Sequence, residues 1–171
     1  LGRRFELSER QSPRRSVRIS NSREPLIRYH SFMPTINELQ DEIIEEFSAL
    51  DDWMDRYALI IDLGNTLEPL PESDKTPTNI EGCQSRVWIT ASFDGERIHF
   101  RGESDALIVK GIVSLLLRVL DGQTPQDILA SDLYFIERIG LAEHLSPTRS
   151  NGLVSMLRQM RLFAAAFASK S

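Results

Sequence analysis

The stretch VWITASFDGERIHFR, residues 87–101, decides the fold. Val87, Ile89, Ala91 and Phe93 alternate with Trp88, Thr90 and Ser92, which is the period of a half-buried strand. Asp94-Gly95 is a hairpin turn signal. Ile98, His99, Phe100 and Arg101 then form the return strand. Directly downstream the period changes. Ser104 or Asp105 is expected to cap a helix that runs to about Leu120, with Gly122 just past its end.

Working outward from the hairpin, helical patterns lie on both sides. Thr35-Ile36-Asn37-Glu38 has the spacing of a capping box. It opens a helix whose apolar residues Ile36, Leu39, Ile43, Ile44 and Phe47 recur at helical intervals. Asp51 or Asp52 caps a second helix through Trp53, Met54, Tyr57, Ile60 and Ile61, with Gly64 as its expected stop. Residues 65–82 hold Pro69, Pro71, Pro77, Asn65, Asn79 and Gly82, a long connection rich in turn chemistry. After the hairpin, Thr124-Pro125-Gln126-Asp127 opens a short helix with proline at its first position. A further helical piece ends near Gly140. Ser146-Pro147 starts a last helix to about Ala168, with Gly152 inside its first turns at a propensity cost of about 1 kcal/mol. Helices, a hairpin, then helices predict an α+β fold: a small antiparallel sheet packed against helices.

The chain has 171 residues, one cysteine and a net charge of −5. That length fits one domain. A single cysteine excludes an intrachain disulfide and a cysteine-built zinc or iron–sulfur cage within one chain. The most apolar stretch, Ala106 to Leu120, is interrupted by Lys110, Ser114 and Arg118, so no membrane span is expected. The start lacks the apolar core of a secretory leader. A lone thiol without such a leader fits the reducing cytoplasm.

The charge is uneven. Residues 1–32 carry eight Arg against Glu6, Glu9 and Glu24, for +5, and the remainder carries −10. The first segment also lacks a sustained apolar period, and His30 lies in it. We read it as an Arg-rich N-terminal extension, disordered or not native to the domain, ahead of a domain over 33–171. A nucleic-acid-binding arm and an organelle transit peptide are the competing readings. The favoured one is plain upstream sequence before a start at Met33. The acidic body argues against nucleic acid as a partner.

Chemistry centres on Cys83, in Glu81-Gly82-Cys83-Gln84-Ser85-Arg86 at the end of the long connection. Gly82 permits unusual backbone angles and close approach by another molecule. The thiolate is the reactive form of cysteine and nearby cations favour it. Arg86 is the one basic side chain close in sequence. A lone cysteine is more often a small buried hydrophobe, but a loop position favours a reactive one. His30, His99 and His144 show no metal-ligand spacing, and a pair of Cys83 with His99 or His144 is the lesser alternative. Asp51, Asp52 and Asp55 fit a helix N-terminus rather than a catalytic cluster. Neither GxGxxG nor GxxxxGK[ST] occurs, which disfavours nucleotide binding. Trp88 fits sheet packing better than a binding platform. Three classes of function therefore compete: a sulfur relay through Cys83, a hydrolase or peroxidase with Cys83 as nucleophile, and an interaction domain in which it is passive. The second lacks a recognisable base or oxyanion motif.

Several segments, taken in order, resemble the SufE/CsdE family of cysteine desulfuration proteins. They are Arg56-Tyr57 through Ile60-Ile61-Asp62-Leu63-Gly64, Leu67-Glu68-Pro69-Leu70-Pro71, and Asn79-Ile80-Glu81-Gly82-Cys83-Gln84-Ser85-Arg86-Val87-Trp88. Gly102-Glu103-Ser104-Asp105-Ala106 with Ile108-Val109-Lys110-Gly111 follows, and then Leu145-Ser146-Pro147-Thr148-Arg149-Ser150-Asn151-Gly152-Leu153. The resemblance covers roughly 35–168 and skips the tail. Glu103 departs from it, since many members carry Asp there, though the charge is kept.

The resemblance implies the fold of the iron–sulfur scaffold proteins and a non-enzymatic role as sulfur acceptor. A pyridoxal-phosphate (PLP) dependent cysteine desulfurase would supply persulfide sulfur to Cys83. Cys83 would pass it to the iron–sulfur scaffold assembly complex. The chain itself would need no cofactor, because the partner holds the pyridoxal phosphate. Gly82, Arg86 and Arg149 are the expected supporting residues around the thiol. Glu81, Gln84 and Asp105 are expected to meet the partner. We further expect the sulfur to rest against an apolar surface that includes part of the helix Ile108–Leu117.

Overall fold

A computed structural model of the chain describes residues 33–75, 80 and 85–170, all within the unit Met33–Ser171. The tail 1–32 and the segment Glu81–Gln84 lie outside the described residues, and with them His30, Gly82 and Cys83. The described residues form seven helices and one hairpin, in the order α1 (Ile36–Ser48), α2 (Trp53–Gly64), β1 (Val87–Phe93), β2 (Ile98–Ser104), α3 (Leu107–Leu120), α4 (Pro125–Ala130), α5 (Phe135–Arg138), α6 (Leu141–His144) and α7 (Pro147–Ala168). A 3-10 turn, Glu72–Asp74, interrupts the connection after α2. The fold is α+β, as the patterning predicts.

Most helix starts follow from local capping chemistry. The Thr35 hydroxyl accepts from Glu38 N–H while the Glu38 carboxylate accepts from Thr35 N–H, the reciprocal box expected from the sequence. Of the two candidates for α2, Asp52 is the cap and accepts from Met54 N–H. Thr124 and Ser146 cap α4 and α7, each followed by proline. Gly122, with φ of +76°, leaves α3 in the left-handed region.

One local expectation is corrected. β2 runs to Ser104, three residues past Arg101, so neither Ser104 nor Asp105 caps α3. The cap position is Ala106, which has no side-chain bond to offer. α2 does end at Gly64, as expected, though not through a left-handed glycine. Asn65 beyond it is right-handed, and Gly64 also lets α2 meet α3 closely.

α3 forms the centre of the packing. Nine of its fourteen residues are buried, so it is apolar on nearly every side, as a helix enclosed by neighbours must be. α2 crosses it backbone to backbone at Gly64 and Gly111, where a Cβ on Gly111 would lie 2.1 Å from the Ile60 carbonyl oxygen. α1 packs on another side and is tied to α3 by Arg118, which donates to Glu46 at 2.8 Å. Buried Gln40 of α1 donates to the Asp132 carbonyl and accepts from Phe135 N–H, so both ends of its amide are satisfied and the start of α5 is fixed.

The hairpin lies on α3 through β2 and on α7 through β1. Its strands pair antiparallel from Val87↔Ser104 to Phe93↔Ile98. Ile98, Phe100, Gly102 and Ser104 are buried on the helix side. Trp88, His99, Arg101 and Glu103 lie on the outer face. Asp94 turns the hairpin by accepting from Glu96 and Arg97 N–H, and Gly95 has φ of +99°. Phe93 stacks on Phe167 of α7 with ring centroids 5.2 Å apart.

Candidate functional site

The approach to β1 is held by main-chain contacts. Arg86 N–H donates to the Asp105 carboxylate at 3.0 Å. The Arg86 carbonyl accepts from the Ser104 hydroxyl at 2.9 Å and from Asp105 N–H at 3.3 Å. Both polar backbone groups of Arg86 are thus fixed by the residues that end β2. The Asp105 carboxylate is thereby turned to the Arg86 main chain, while the Ser104 hydroxyl gives its hydrogen to Arg86 and accepts from Ala106 N–H at 3.3 Å, one residue before α3 begins. The Arg86 side chain is exposed, and so is Asp105.

Next to this point a recess of about 50 Å³ opens, lined among the described residues by Ser85, Val109, Ile112, Thr148, Arg149, Gly152 and Met156. Water occupies about 30 Å³ in the liquid, so the space suits a group of one or two heavy atoms. Its walls come from the approach to β1, the first turns of α3 and the first turns of α7. Val109, Ile112 and Met156 make one side apolar and buried. Arg149 and Thr148 supply the polar side. Gly152 is buried at the point where the sequence shows a glycine inside a helix; the absent side chain leaves room there.

The expected site residues therefore fall into groups. Ser85, two positions after Cys83, and Arg149 line one recess, and the α3 turn that joins them carries Val109 and Ile112. Arg86 and Asp105 are bonded to each other through the Arg86 main chain. Glu81, Gly82, Cys83 and Gln84 lie outside the described residues.

A second set of contacts holds the upstream end of the same segment, and sequence reasoning passed over it. Glu103, on the outer face of β2, accepts from Leu70 N–H at 2.7 Å and pairs with Lys75 at 3.3 Å. The Lys75 ammonium also lies 5.3 Å from the centre of the Trp88 ring. Arg101 pairs with Asp74 at 3.8 Å. The hydrogen bond from Leu70 holds the Glu103 carboxyl below the ordinary range, against the opposing effect of burial. The signal available in sequence was the alternation itself, which puts Trp88, Arg101 and Glu103 on one sheet face.

The histidines stand elsewhere. His99 bonds Asp94 at 2.8 Å on the outer face, and His144 stacks on Trp53 with centroids 3.8 Å apart. Neither lines the recess. Among the described residues no group of three or more His, Cys, Asp or Glu side chains is placed to hold a metal ion. No described helix is long and apolar enough to cross a membrane.

Known proteins share both sequence and fold with this chain. An uncharacterized SufE-like protein of Rhizobium meliloti (strain 1021) is 42% identical over 127 residues, which cover 71% of this chain and 91% of that protein. An uncharacterized SufE-like protein of Rhizobium etli is 43% identical over 127 residues, 71% of this chain and 86% of that protein. A solution structure of a hypothetical protein from Thermus thermophilus superposes with a TM-score of 0.65 at 21% identity, covering 77% of this chain and 96% of that one, and shows the shared fold. The SufE family, described as an Fe-S metabolism associated domain, matches residues 41–164, a span that includes Cys83, the hairpin and the recess walls. The chain therefore belongs to the SufE family, and its role lies in iron–sulfur metabolism.

Proposed function

We propose that this chain is a sulfur acceptor and carrier that works through Cys83. A PLP-dependent cysteine desulfurase docks on it and presents a persulfide. The Cys83 thiolate attacks the outer sulfur, the sulfur–sulfur bond of the desulfurase breaks, and the desulfurase cysteine leaves as a thiolate. Cys83 is left as a persulfide. One sulfur atom has changed owner and no external oxidant or reductant is needed. Drawing sulfur off in this way stimulates the desulfurase. The carrier then hands the sulfur to the iron–sulfur scaffold assembly complex in the cytoplasm. It needs no cofactor of its own and is not itself an enzyme.

The observation that carries this reading is the family match over 41–164, which spans the one thiol in the chain. The geometry at Ser85, two residues further along the chain, supports it. The recess at Ser85 offers an apolar side of Val109, Ile112 and Met156 and a guanidinium, Arg149, at its rim. An apolar wall keeps small thiols from a bound sulfur, and a guanidinium favours a thiolate or persulfide anion. Asp105, exposed beside the Arg86 main chain, is offered to the desulfurase, and Glu81 and Gln84 of the Cys83 motif supply its further contacts. Gly82 gives the backbone freedom for that approach.

The test compares sulfide release by a cognate desulfurase in the presence of the parent protein and of Cys83→Ser. Serine is close to cysteine in shape, so the fold stays intact. Stimulation by the parent and none by the variant is expected; equal stimulation by both refutes the relay.

A further inference from the structure

β2 holds both ends of the segment that carries Cys83. Ser104 and Asp105 bond the main chain of Arg86 on the downstream side. One residue earlier on the same strand, Glu103 bonds Leu70 N–H and Lys75 on the upstream side. The ten residues between Lys75 and Arg86 therefore leave and return at neighbouring points of one strand. We infer that Glu103 is a positioning residue for sulfur transfer, acting through Leu70 and Lys75 rather than on the sulfur. This inference rests on the proposed role of Cys83.

The contacts suit such a role. The Glu103 side chain is only 17% exposed and the Lys75 side chain 18%, so solvent screens the pair less than it screens a pair on the open surface. Leu70 is buried, at 4% exposure, which anchors the strap independently of its backbone bond. Lys75 has a second acceptor in Glu72 at 3.1 Å, and its ammonium faces Trp88, the residue paired with Glu103 across the hairpin. Removing the carboxylate takes away the acceptor for Leu70 N–H and one of the two acid partners of Lys75 together.

The size of the effect follows from chain length. Cys83 stands three residues from Arg86 and eight from Lys75. An extended residue spans at most about 3.3–3.6 Å, so the downstream anchor alone bounds the Cys83 Cα to within roughly 11 Å of the Arg86 Cα, with the side chain reaching beyond. Loosening the upstream end at Leu70 and Lys75 would thus widen the range open to Cys83 while the downstream bound holds. A misplacement of about 1 Å can cost up to a hundredfold in rate. We expect a loss of about tenfold, because the downstream contacts persist.

Trp88 supplies a readout that does not depend on transfer. The chain has two tryptophans, so in a Trp53→Phe background Trp88 emission reports the strap alone. In that background Glu103→Ala, Glu103→Gln and the unaltered Glu103 protein are compared. Single-turnover transfer from a persulfide-loaded desulfurase is followed across desulfurase concentrations. With Glu103→Ala, Trp88 emission shifts and the saturating transfer rate falls about tenfold, while the half-saturating concentration stays within about twofold. Glu103→Gln keeps an acceptor for Leu70 N–H and recovers part of the rate. A shifted Trp88 emission with an unchanged saturating rate overturns the inference. So does an unchanged emission in Glu103→Ala, or a change confined to half-saturation, which would make Glu103 a docking residue. If the protein with Glu103 intact takes no sulfur on Cys83, the proposed function fails and this inference falls with it. That outcome is told apart by the reference arm alone.

Discussion

Gly111→Ala tests the crossing that sets the position of α3 and with it one wall of the recess. A Cβ at residue 111 would lie 2.1 Å from the Ile60 carbonyl oxygen, 2.5 Å from Ile60 Cγ2 and 2.7 Å from the Ile60 carbonyl carbon. Two of those atoms are backbone and cannot rotate away. Ordinary contact begins near 3.4 Å, so α2 and α3 must separate by roughly 1 Å. A gap of about 0.5–1 Å forfeits a quarter to a half of each dispersion contact across it. Ile60, almost fully buried, lies at that face. Overpacking typically costs about 1–3 kcal/mol, to which the opened contacts add, while alanine gains back about 1 kcal/mol of helix propensity. The expected net loss is about 2–3 kcal/mol, or a fall in Tm of roughly 5–10 °C for a domain of this size. Gly64→Ala meets the same contact from the other side, with a Cβ 2.6 Å from Gly111 N. Once one substitution has parted the helices the other costs less, so the double variant should fall short of the sum by about 1 kcal/mol. Thermal and urea melts of the four proteins give the answer. A Gly111→Ala protein that melts at or above the parent refutes the reasoning.

Three further predictions concern the site, an ion pair and the tail. Arg149→Ala removes the cation at the rim of the recess, so the pH profile of Cys83 alkylation should move to higher pH with little change in Tm, and Arg149→Lys should retain most of the parent profile; coincident profiles for all three would exclude a role for Arg149 at the thiol. The hydrogen bond from Arg118 holds the Glu46 carboxyl below its ordinary range. Its folded-state pKa is depressed, so this pair contributes stability above the unfolded pKa, and the contribution is lost as pH falls through the folded value. Glu46 is 44% exposed, so the gap between parent and Glu46→Gln should stay under about 1 kcal/mol at neutral pH and close in acid; a gap that widens as pH falls would contradict this sign. Removing residues 1–32 should leave Tm and sulfur acceptance unchanged, provided that Met33 is kept. The Met33 side chain closes on Gly122, and the Pro34 carbonyl accepts from Gln123 at 3.0 Å. A clear fall in Tm on truncation would show that the tail contributes to the fold.

What the sequence discloses about this fold is what short-range chemistry controls. The Thr35–Glu38 box, the caps Asp52, Thr124 and Ser146, and the Asp94-Gly95 turn each complete their bonds within a few residues. The positions misread or passed over are those whose partners lie far off. Ser104 and Asp105 have the chemistry to cap α3, but the chain runs on past them to a cap at Ala106, the Asp105 carboxylate accepts from Arg86 N–H and the Ser104 hydroxyl donates to the Arg86 carbonyl. Gly64 ends α2 as read, but its contact with Gly111, 47 positions away, had no local sign. The same holds for the site. Cys83 stands out as the single thiol in a motif, whereas the recess at Ser85 draws also on Val109, Ile112, Thr148, Arg149, Gly152 and Met156, from three elements with no shared pattern. Glu103 showed only as a departure from the family pattern, because its partners, Leu70 and Lys75, belong to a connection without periodicity.

The central claim is that Cys83 itself carries the sulfur. The most direct measurement is the intact mass of the protein after incubation with a cysteine desulfurase and L-cysteine, followed by peptide mapping. The account predicts a gain of one sulfur atom, located on the peptide that contains Cys83, reversed by a reducing thiol and absent from Cys83→Ser. An unmodified Cys83 in the presence of an active, persulfide-loaded desulfurase would contradict it.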